Sequence, residues 1–330
     1  MMNLDEKPIL FNKSALWKVN SVFLTNPLHP RKSMLNRLTE KTFSTTKKHP
    51  TANGDVSVRW SHSSRSIDPN KNKNMSQIHA TSLVENGAVI GKNVEIGPFC
   101  HVGANVSIGD GCILKSHVVI DGWTTLGEKN TIYPFTSIGG EPQDLKYQNE
   151  KTLVTIGSEN IIREGVTIHR GTKGGGGETN LGDHNLLMGY VHIAHDCHIG
   201  NHNILSNYTG LSGHCTLDDH INLGGQNGIA QFLHIGSYVF TGGGSLIDRN
   251  IPPYSTGFGN RFEVKGVNIV GLKRKGFSRE AISEILEAHR LYFRADLKSD
   301  EALRIIEETY GDRKEIREFL DFMVKTDGTA

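Results

Sequence analysis

The amino-acid sequence predicts a mainly β protein, a parallel β-helix of six-residue repeats over 76–255, followed by a basic linker and a small α-helical bundle over 256–330. Three observations carry this. Aliphatic residues recur every sixth position, glycine often follows them, and the pattern stops at a proline pair before helical periodicity begins. A period of six fits neither the 3.6-residue helix nor the heptad, and points to short strands joined by tight corners.

The series runs Ile78, Val84, Ile90, Ile96, Val102, Ile108, Leu114, Ile120, Leu126, Ile132 and Ile138. A second phase gives Ile156, Ile162 and Ile168, and a third runs from Leu181 through Ile193 and Leu211 to Ile235. The residue after the aliphatic one is often glycine, as at Gly97, Gly109 and Gly139, which suggests sharp turns or positive φ. Four residues after it, side chains are small or β-branched. Cys100, Cys112, Cys197 and Cys215 all fall there and read as inward packing groups. With no CxxC pair, neither a zinc knuckle nor a thioredoxin-type motif is expected. If three repeats make one coil, Cys197 and Cys215 lie one coil apart, within disulfide reach in principle.

Two breaks interrupt the count, between Ile138 and Ile156 and between Ile168 and Leu181. These stretches should leave the rod as loops, where a rigid scaffold commonly carries binding residues. The four glycines Gly174 to Gly177 lack the Lys-Ser/Thr and helix of a phosphate loop and read as a flexible hairpin. Pro252 and Pro253 end regular pairing. Ser278 is the expected N-cap of a helix through about Ala295, Ser299 of one ending near Gly311, and a third runs from Asp312 to Val324.

Before the rod, residues 1–75 hold 13 Lys or Arg against 5 acids, a net +8, with abundant Ser, Thr and Asn. That profile suits an organellar transit peptide. Over the whole chain the formal charge is only +1, so bulk attraction to nucleic acid is not expected. No apolar run is long enough to span a bilayer.

The densest titratable cluster is His192-Ile-Ala-His195-Asp196-Cys197-His198. A histidine beside a carboxylate suits a general base, because the acid orients the ring and stabilises its cation. A zinc site using His192, His195 and His198 is the second chemical reading, and a solvated histidine rim the third. No G-x-S-x-G elbow is present and every cysteine is assigned inward, which disfavours covalent catalysis. One coil beyond His195 comes Gly213, whose N–H is a candidate oxyanion donor. Lys273, Arg274, Lys275 and Arg279 form a basic cluster suited to phosphate groups or an acidic carrier protein.

Ile168-His-Arg-Gly171, Gln143-Asp-Leu-Lys-Tyr147, Asn185-Leu-Leu-Met188 with His192-Ile-Ala-His-Asp-Cys197, and the run from Gly266 to Ala281 closely resemble the UDP-N-acetylglucosamine O-acyltransferase family. The likeness covers about 76–325. It implies a homotrimer of left-handed β-helices with active sites between subunits, transferring an (R)-3-hydroxyacyl group from acyl carrier protein to the 3-hydroxyl of UDP-N-acetylglucosamine, the first step of lipid A synthesis. No cofactor or metal is implied. The resemblance makes His195 the general base, Asp196 its partner and Gly213 the oxyanion donor. It places Gln143, Asp144, Lys146, His169, His192, His214, Gln231, Asn268 and Arg274 around the nucleotide sugar and carrier. Gly243 matches the floor of the acyl groove, where glycine suits a longer chain. Two residues depart from the family pattern: Ala230 stands where a histidine is usual, and Val270 replaces an acid.

The competing expectations are a zinc-dependent carbonic-anhydrase-like β-helix, a non-catalytic scaffold, and an N-acyltransferase, which would carry an extra uridine-binding domain before the rod. If the leader is a transit peptide, the setting is mitochondrial, with the plastid as the alternative.

Overall fold

The computed structural model describes residues 75–326. The expected transit peptide, apart from Met75, lies outside the described residues.

From Gln77 onward, strands of mostly two residues wind around a three-sided coil, each pairing in parallel with the strand one coil further on. Ile78 faces Ile96 and Ile193 faces Leu211, an offset of 18 residues. Three sheets result among the described residues, opening with Gln77–Ile78, Leu83–Val84 and Val89–Ile90, here called the first, second and third. The expected breaks stretch the offset at Ile132↔Ile162 and Ile162↔Leu187 without disturbing which sheet each strand joins. Both excursions therefore leave from the same edge, the corner between second and third sheets.

The aliphatic series packs along the axis as one buried core from Val94 to Ile251. Ile78, in the first coil, is 48% exposed because it has a neighbour on one side only. Each inward isoleucine or leucine removed to alanine from such a core costs roughly 2–5 kcal/mol.

Glycine after the aliphatic residue is required for a reason other than φ. Apart from Gly139, at φ 81°, these glycines lie outside the left-handed region. A Cβ on Gly97 would stand 2.5 Å from the Lys115 carbonyl oxygen, and one on Gly109 2.6 Å from the Gly127 carbonyl. Close approach of the next coil excludes a side chain. The left-handed φ falls two residues later, mostly on non-glycine residues such as His117 (57°), Tyr190 (61°) and His214 (62°). Their rings stack from coil to coil, His184 on His202 at 4.8 Å and Tyr190 on Tyr208 at 5.1 Å, close to the strand spacing. Stacking contacts help offset a conformation that costs an L-residue about 1–2 kcal/mol.

The cysteines are buried and free. Each thiol donates to a carbonyl on the following coil, Cys197 to Ser212 at 3.2 Å and Cys215 to Ala230 at 3.2 Å. At the corner between third and first sheets, where Cys112 also sits, four consecutive inward positions are asparagine. Asn130, Asn160, Asn185 and Asn203 form a buried ladder in which each Oδ1 accepts the next backbone N–H at 2.8–2.9 Å, ending on Ile221 at 2.7 Å. Such an amide fills space and satisfies buried polar groups at once.

The rod runs past the expected boundary at 255. Ser255–Phe258 pairs in parallel with Phe240–Thr241, and Glu263–Val267 adds an antiparallel strand, so the expected linker is largely ordered structure. It also contains a short helix, α1 (Ile269–Arg274), capped by Asn268. Helices α2 (Arg279–Phe293), α3 (Ser299–Tyr310) and α4 (Lys314–Lys325) follow. Ser278 caps α2 through its side chain as expected, but the cap residue of α3 is Lys298, with no side-chain bond, and α4 starts two residues later than Asp312. Ile285, Ile306, Phe319 and Met323 pack with Leu272 and Tyr254 as a second core.

His289 is buried in that core beside Ser255, and burial pushes its imidazole down to about 4. The unfolded chain, with an ordinary histidine near 6.5, takes up the proton first as pH falls. His289 therefore lowers stability progressively between about pH 6.5 and 4, by on the order of 3 kcal/mol at the low end, and has no effect above that window. Thermal unfolding at pH 5 against pH 7 should show a smaller difference in His289→Gln than in the parent protein.

Candidate active site

The second sheet and its corner with the third carry most of the titratable residues singled out by sequence. His192 points outward from the strand His192–Ile193, its Nδ1 2.7 Å from Thr167 Oγ1. His169, at the end of Thr167–His169, meets it edge-on with ring centroids 5.1 Å apart. Burial, reinforced by the neighbouring His192, His195 and Arg170, holds His169 down to about 4. Burial also lowers His192. His169 is thus neutral at pH 7. Its Nδ1 is buried with no partner among the described residues.

At the corner itself, Ile193 packs inward and Asp196 takes the left-handed conformation at φ 59°. This turns the Asp196 carboxylate under the chain, where it is fully buried. Oδ1 accepts the Thr172 N–H at 2.8 Å, and Oδ2 accepts the Thr172 hydroxyl at 2.6 Å and His195 Nδ1 at 2.8 Å. His214 Nε2 lies 3.8 Å from the same Oδ2. With Nδ1 donating to the carboxylate, the lone pair of His195 sits on Nε2, the arrangement a proton acceptor needs. Gly213 lies directly beneath, and a Cβ there would be 2.6 Å from the ring's Cε1 and 2.9 Å from Nε2. The 18-residue offset read from sequence is borne out, since His214 N–H donates to the His195 carbonyl at 3.0 Å. On the neighbouring corner the backbone N–H two residues after the aliphatic residue is capped by the next coil, as Asn201 is by Asp219 Oδ1 at 2.6 Å. The Gly213 N–H, at the equivalent position, has no acceptor among the described residues.

The two loops complete the corner. Arg170, almost buried, donates through Nε to Tyr147 Oη at 2.9 Å and through Nη1 to the Gly139 carbonyl at 2.8 Å, tying the long loop to the rod. Asp144 and Lys146 thereby line a cavity of about 820 Å³ with Thr172, His214 and Phe232. Gln143 stays exposed on the loop. The glycine run is not a hairpin, since it links strands of two different sheets. Lys173–Gly175 forms a 3₁₀ turn whose cap, Thr172 Oγ1, accepts the Gly175 N–H at 3.1 Å. A Cβ on Gly175 would lie 2.1 Å from the Asp196 carboxyl carbon, so this glycine lets the loop close on the buried carboxylate.

Other residues lie elsewhere on the rod. Gln231 is exposed one coil beyond Gly213. Gly243 is exposed at the corner between first and second sheets, its Cβ position 3.2 Å from the Gly225 carbonyl oxygen. Asn268 and Arg274 line a separate cavity of about 710 Å³ with His202, His220 and Tyr238, at the corner between third and first sheets. Lys273, Arg274, Lys275 and Arg279 are all exposed there, with Lys275 Nζ 3.1 Å from His220 Nδ1. A single subunit therefore does not bring His195 and Arg274 to one pocket. The zinc set fails as stated: His198 projects from the third sheet, exposed, while His192 belongs to the second. Instead, His195, Asp196 and His214 offer ligand atoms within 4.8 Å of one another.

Residues 250–329 match the family model described as UDP-N-acetylglucosamine O-acyltransferase, domain 2, and residues 87–122 and 178–213 match the bacterial transferase hexapeptide model of six repeats. The UDP-N-acetylglucosamine O-acyltransferase of Moraxella catarrhalis is 43% identical, over 76% of this chain and 97% of its own, with a TM-score of 0.73. The chain belongs to the UDP-N-acetylglucosamine O-acyltransferase family. Among its solved relatives, the acyltransferase of Francisella novicida is 38% identical over 76% of this chain and 92% of its own, with a TM-score of 0.74. That of Arabidopsis is 34% identical over 75% and 96%, with a TM-score of 0.67.

In this acyltransferase the residue that sequence reasoning missed is Thr172. It lies inside the stretch that leaves the six-residue register, so no offset connects it to Asp196. Removing its hydroxyl should leave a buried carboxylate short of one donor, which typically costs 1–3 kcal/mol. Thr172→Val is expected to lower kcat about tenfold with little change in KM, to shift the pH profile of kcat, and to be rescued by Thr172→Ser. Steady-state kinetics across pH measures all three.

Proposed function

We propose that the protein transfers an (R)-3-hydroxyacyl group from acyl carrier protein to the 3-hydroxyl of UDP-N-acetylglucosamine, the opening reaction of lipid A synthesis. The observation that carries the mechanism is the 2.8 Å bond from His195 Nδ1 to a carboxylate that Thr172 already holds in place. His195 Nε2 removes the proton of the sugar hydroxyl as its oxygen attacks the thioester carbonyl. The resulting oxyanion accepts the open N–H of Gly213. Collapse expels the carrier thiolate, which takes the proton back from His195, so no covalent enzyme intermediate is needed. Asp196 stays ionised and stabilises the transient imidazolium.

The working unit in this reading is a homotrimer. Exposed apolar side chains gather on the first sheet (Ile161, Phe240), the second (Leu83, Val119, Leu246) and the corner between them (Phe99, Phe135, Tyr190, Tyr208). Most of the third sheet shows polar groups such as Asn180, His198 and Thr216. Three rods meeting at that apolar corner set the first sheet of one against the second sheet of the next. The cavity with Asn268 and Arg274 then opens beside a neighbour's His195, which accounts for the separation of the two groups within one chain. The basic cluster from Lys273 to Arg279 supplies the charge an acidic carrier protein requires, and Gly243 keeps the groove open for a long acyl chain.

His195→Ala should keep its oligomeric mass by light scattering and lose about 10²–10⁴-fold in turnover with acyl carrier protein thioesters. Near-normal turnover would remove His195 from the mechanism. The basic leader, together with the likeness to an Arabidopsis protein, supports an organellar setting, mitochondrial in preference to plastid. Residues 1–75 fused to a fluorescent reporter are expected to deliver it to mitochondria, and a diffuse cytosolic signal would end that assignment.

A further inference from the structure

The geometry points to a second use of the catalytic corner: His195, Asp196 and His214 form a binding site for a divalent transition-metal ion, zinc in particular, whose occupancy switches the acyltransferase off.

Three side chains from two adjacent coils supply the ligands, two imidazoles and one carboxylate, with ligand atoms all within 4.8 Å of one another. Two histidines and an acid are a common three-ligand protein set for zinc, leaving a coordination position for water. Zinc–nitrogen and zinc–oxygen bonds are about 2.0–2.2 Å, so small side-chain shifts close the group around an ion. The rings of His195 and His214 stand nearly perpendicular, at 88° with centroids 5.1 Å apart, so their nitrogens approach the shared Asp196 Oδ2 from different directions. The pair of donors from Thr172 does not compete with a metal. A carboxylate has about four acceptor sites, and Thr172 fixes the group's orientation as outer hydrogen bonds do in metal centres. Access runs through the cavity that His214 lines. Of the two acids there, Glu150 lies near Lys173, while Asp144 Oδ1 accepts the Lys146 N–H.

Inhibition follows from the proton inventory of one imidazole. A neutral ring carries one N–H. If the metal takes Nδ1, the proton moves to Nε2 and the lone pair that would accept the sugar hydroxyl proton is gone. If the metal takes Nε2, it occupies that lone pair directly. Either way the base is silenced. This half of the inference rests on His195 being the base, whereas metal binding rests on the geometry alone.

The test is zinc titration of the untagged full-length protein by calorimetry at pH 7.5, beside activity measured with and without zinc and then with excess chelator. One zinc per chain is expected, with activity lost in proportion to occupancy and restored by chelation. His214→Gln and Asp196→Asn should each weaken zinc binding by about tenfold or more. His184→Asn, on another edge of the rod, should not. Absence of saturable binding, or binding unaffected by both corner variants, overturns the site. Binding that meets every expectation while activity persists overturns the inhibition and, with it, the assignment of His195 as base.

Discussion

Hydrogen bonds between successive coils set the position of nearly every side chain in the rod. They run strand to strand at 2.7–3.0 Å for most of its length, and they hold neighbouring coils so close that a methyl group cannot stand at Gly97 or Gly109. Because that contact repeats, an outward residue is carried to the same edge every 18 positions. The corner at His195 inherits its precision from this repetition. His195 lies over Gly213 for the same reason that Ile193 lies over Leu211.

Within that frame the corner at Asp196 uses the left-handed position differently from its neighbours. At many other corners an aromatic or imidazole ring there stacks on the next coil. At 196 a short carboxylate turns beneath the chain, and the loop that left the repeat at Ile168 returns to cover it with Thr172 and Gly175. Three donors converge on one buried acid, and Nδ1 of the histidine it orients is committed to the carboxylate. Burial of His169 and His192 favours their neutral forms and so keeps positive charge away from His195.

Periodic features were legible in the sequence and aperiodic ones were not. Ile193 and Leu211 announce their strands, and an offset of 18 in the sequence joins His195 to Gly213. The glycines were correctly placed at the turns, but apart from Gly139 it is a crowded neighbour and not positive φ that requires them, a distinction a sequence does not make. The asparagines at 130, 160, 185 and 203 passed unnoticed, since a buried amide looks unfavourable until its partners one coil away are seen. Ser255–Phe258 was hidden by the absence of aliphatic markers, and Thr172 by standing outside the repeat. Asn268 and Arg274 could be named from a family likeness, yet their distance from His195 within one chain is a property of the prism and not of sequence spacing.

Both excursions from the repeat leave the rod along one edge, and the other two edges keep strict register through those same coils. The edges therefore differ in what changes of length they can absorb. A residue gained or lost in the stretches 141–152 or 170–177 alters the pocket and leaves the stacking of the outer coils intact. The same change at Tyr190 or His202 would turn every later isoleucine away from the axis. Variation in length is thereby channelled to one side of the rod, while the other two corners are held to their register.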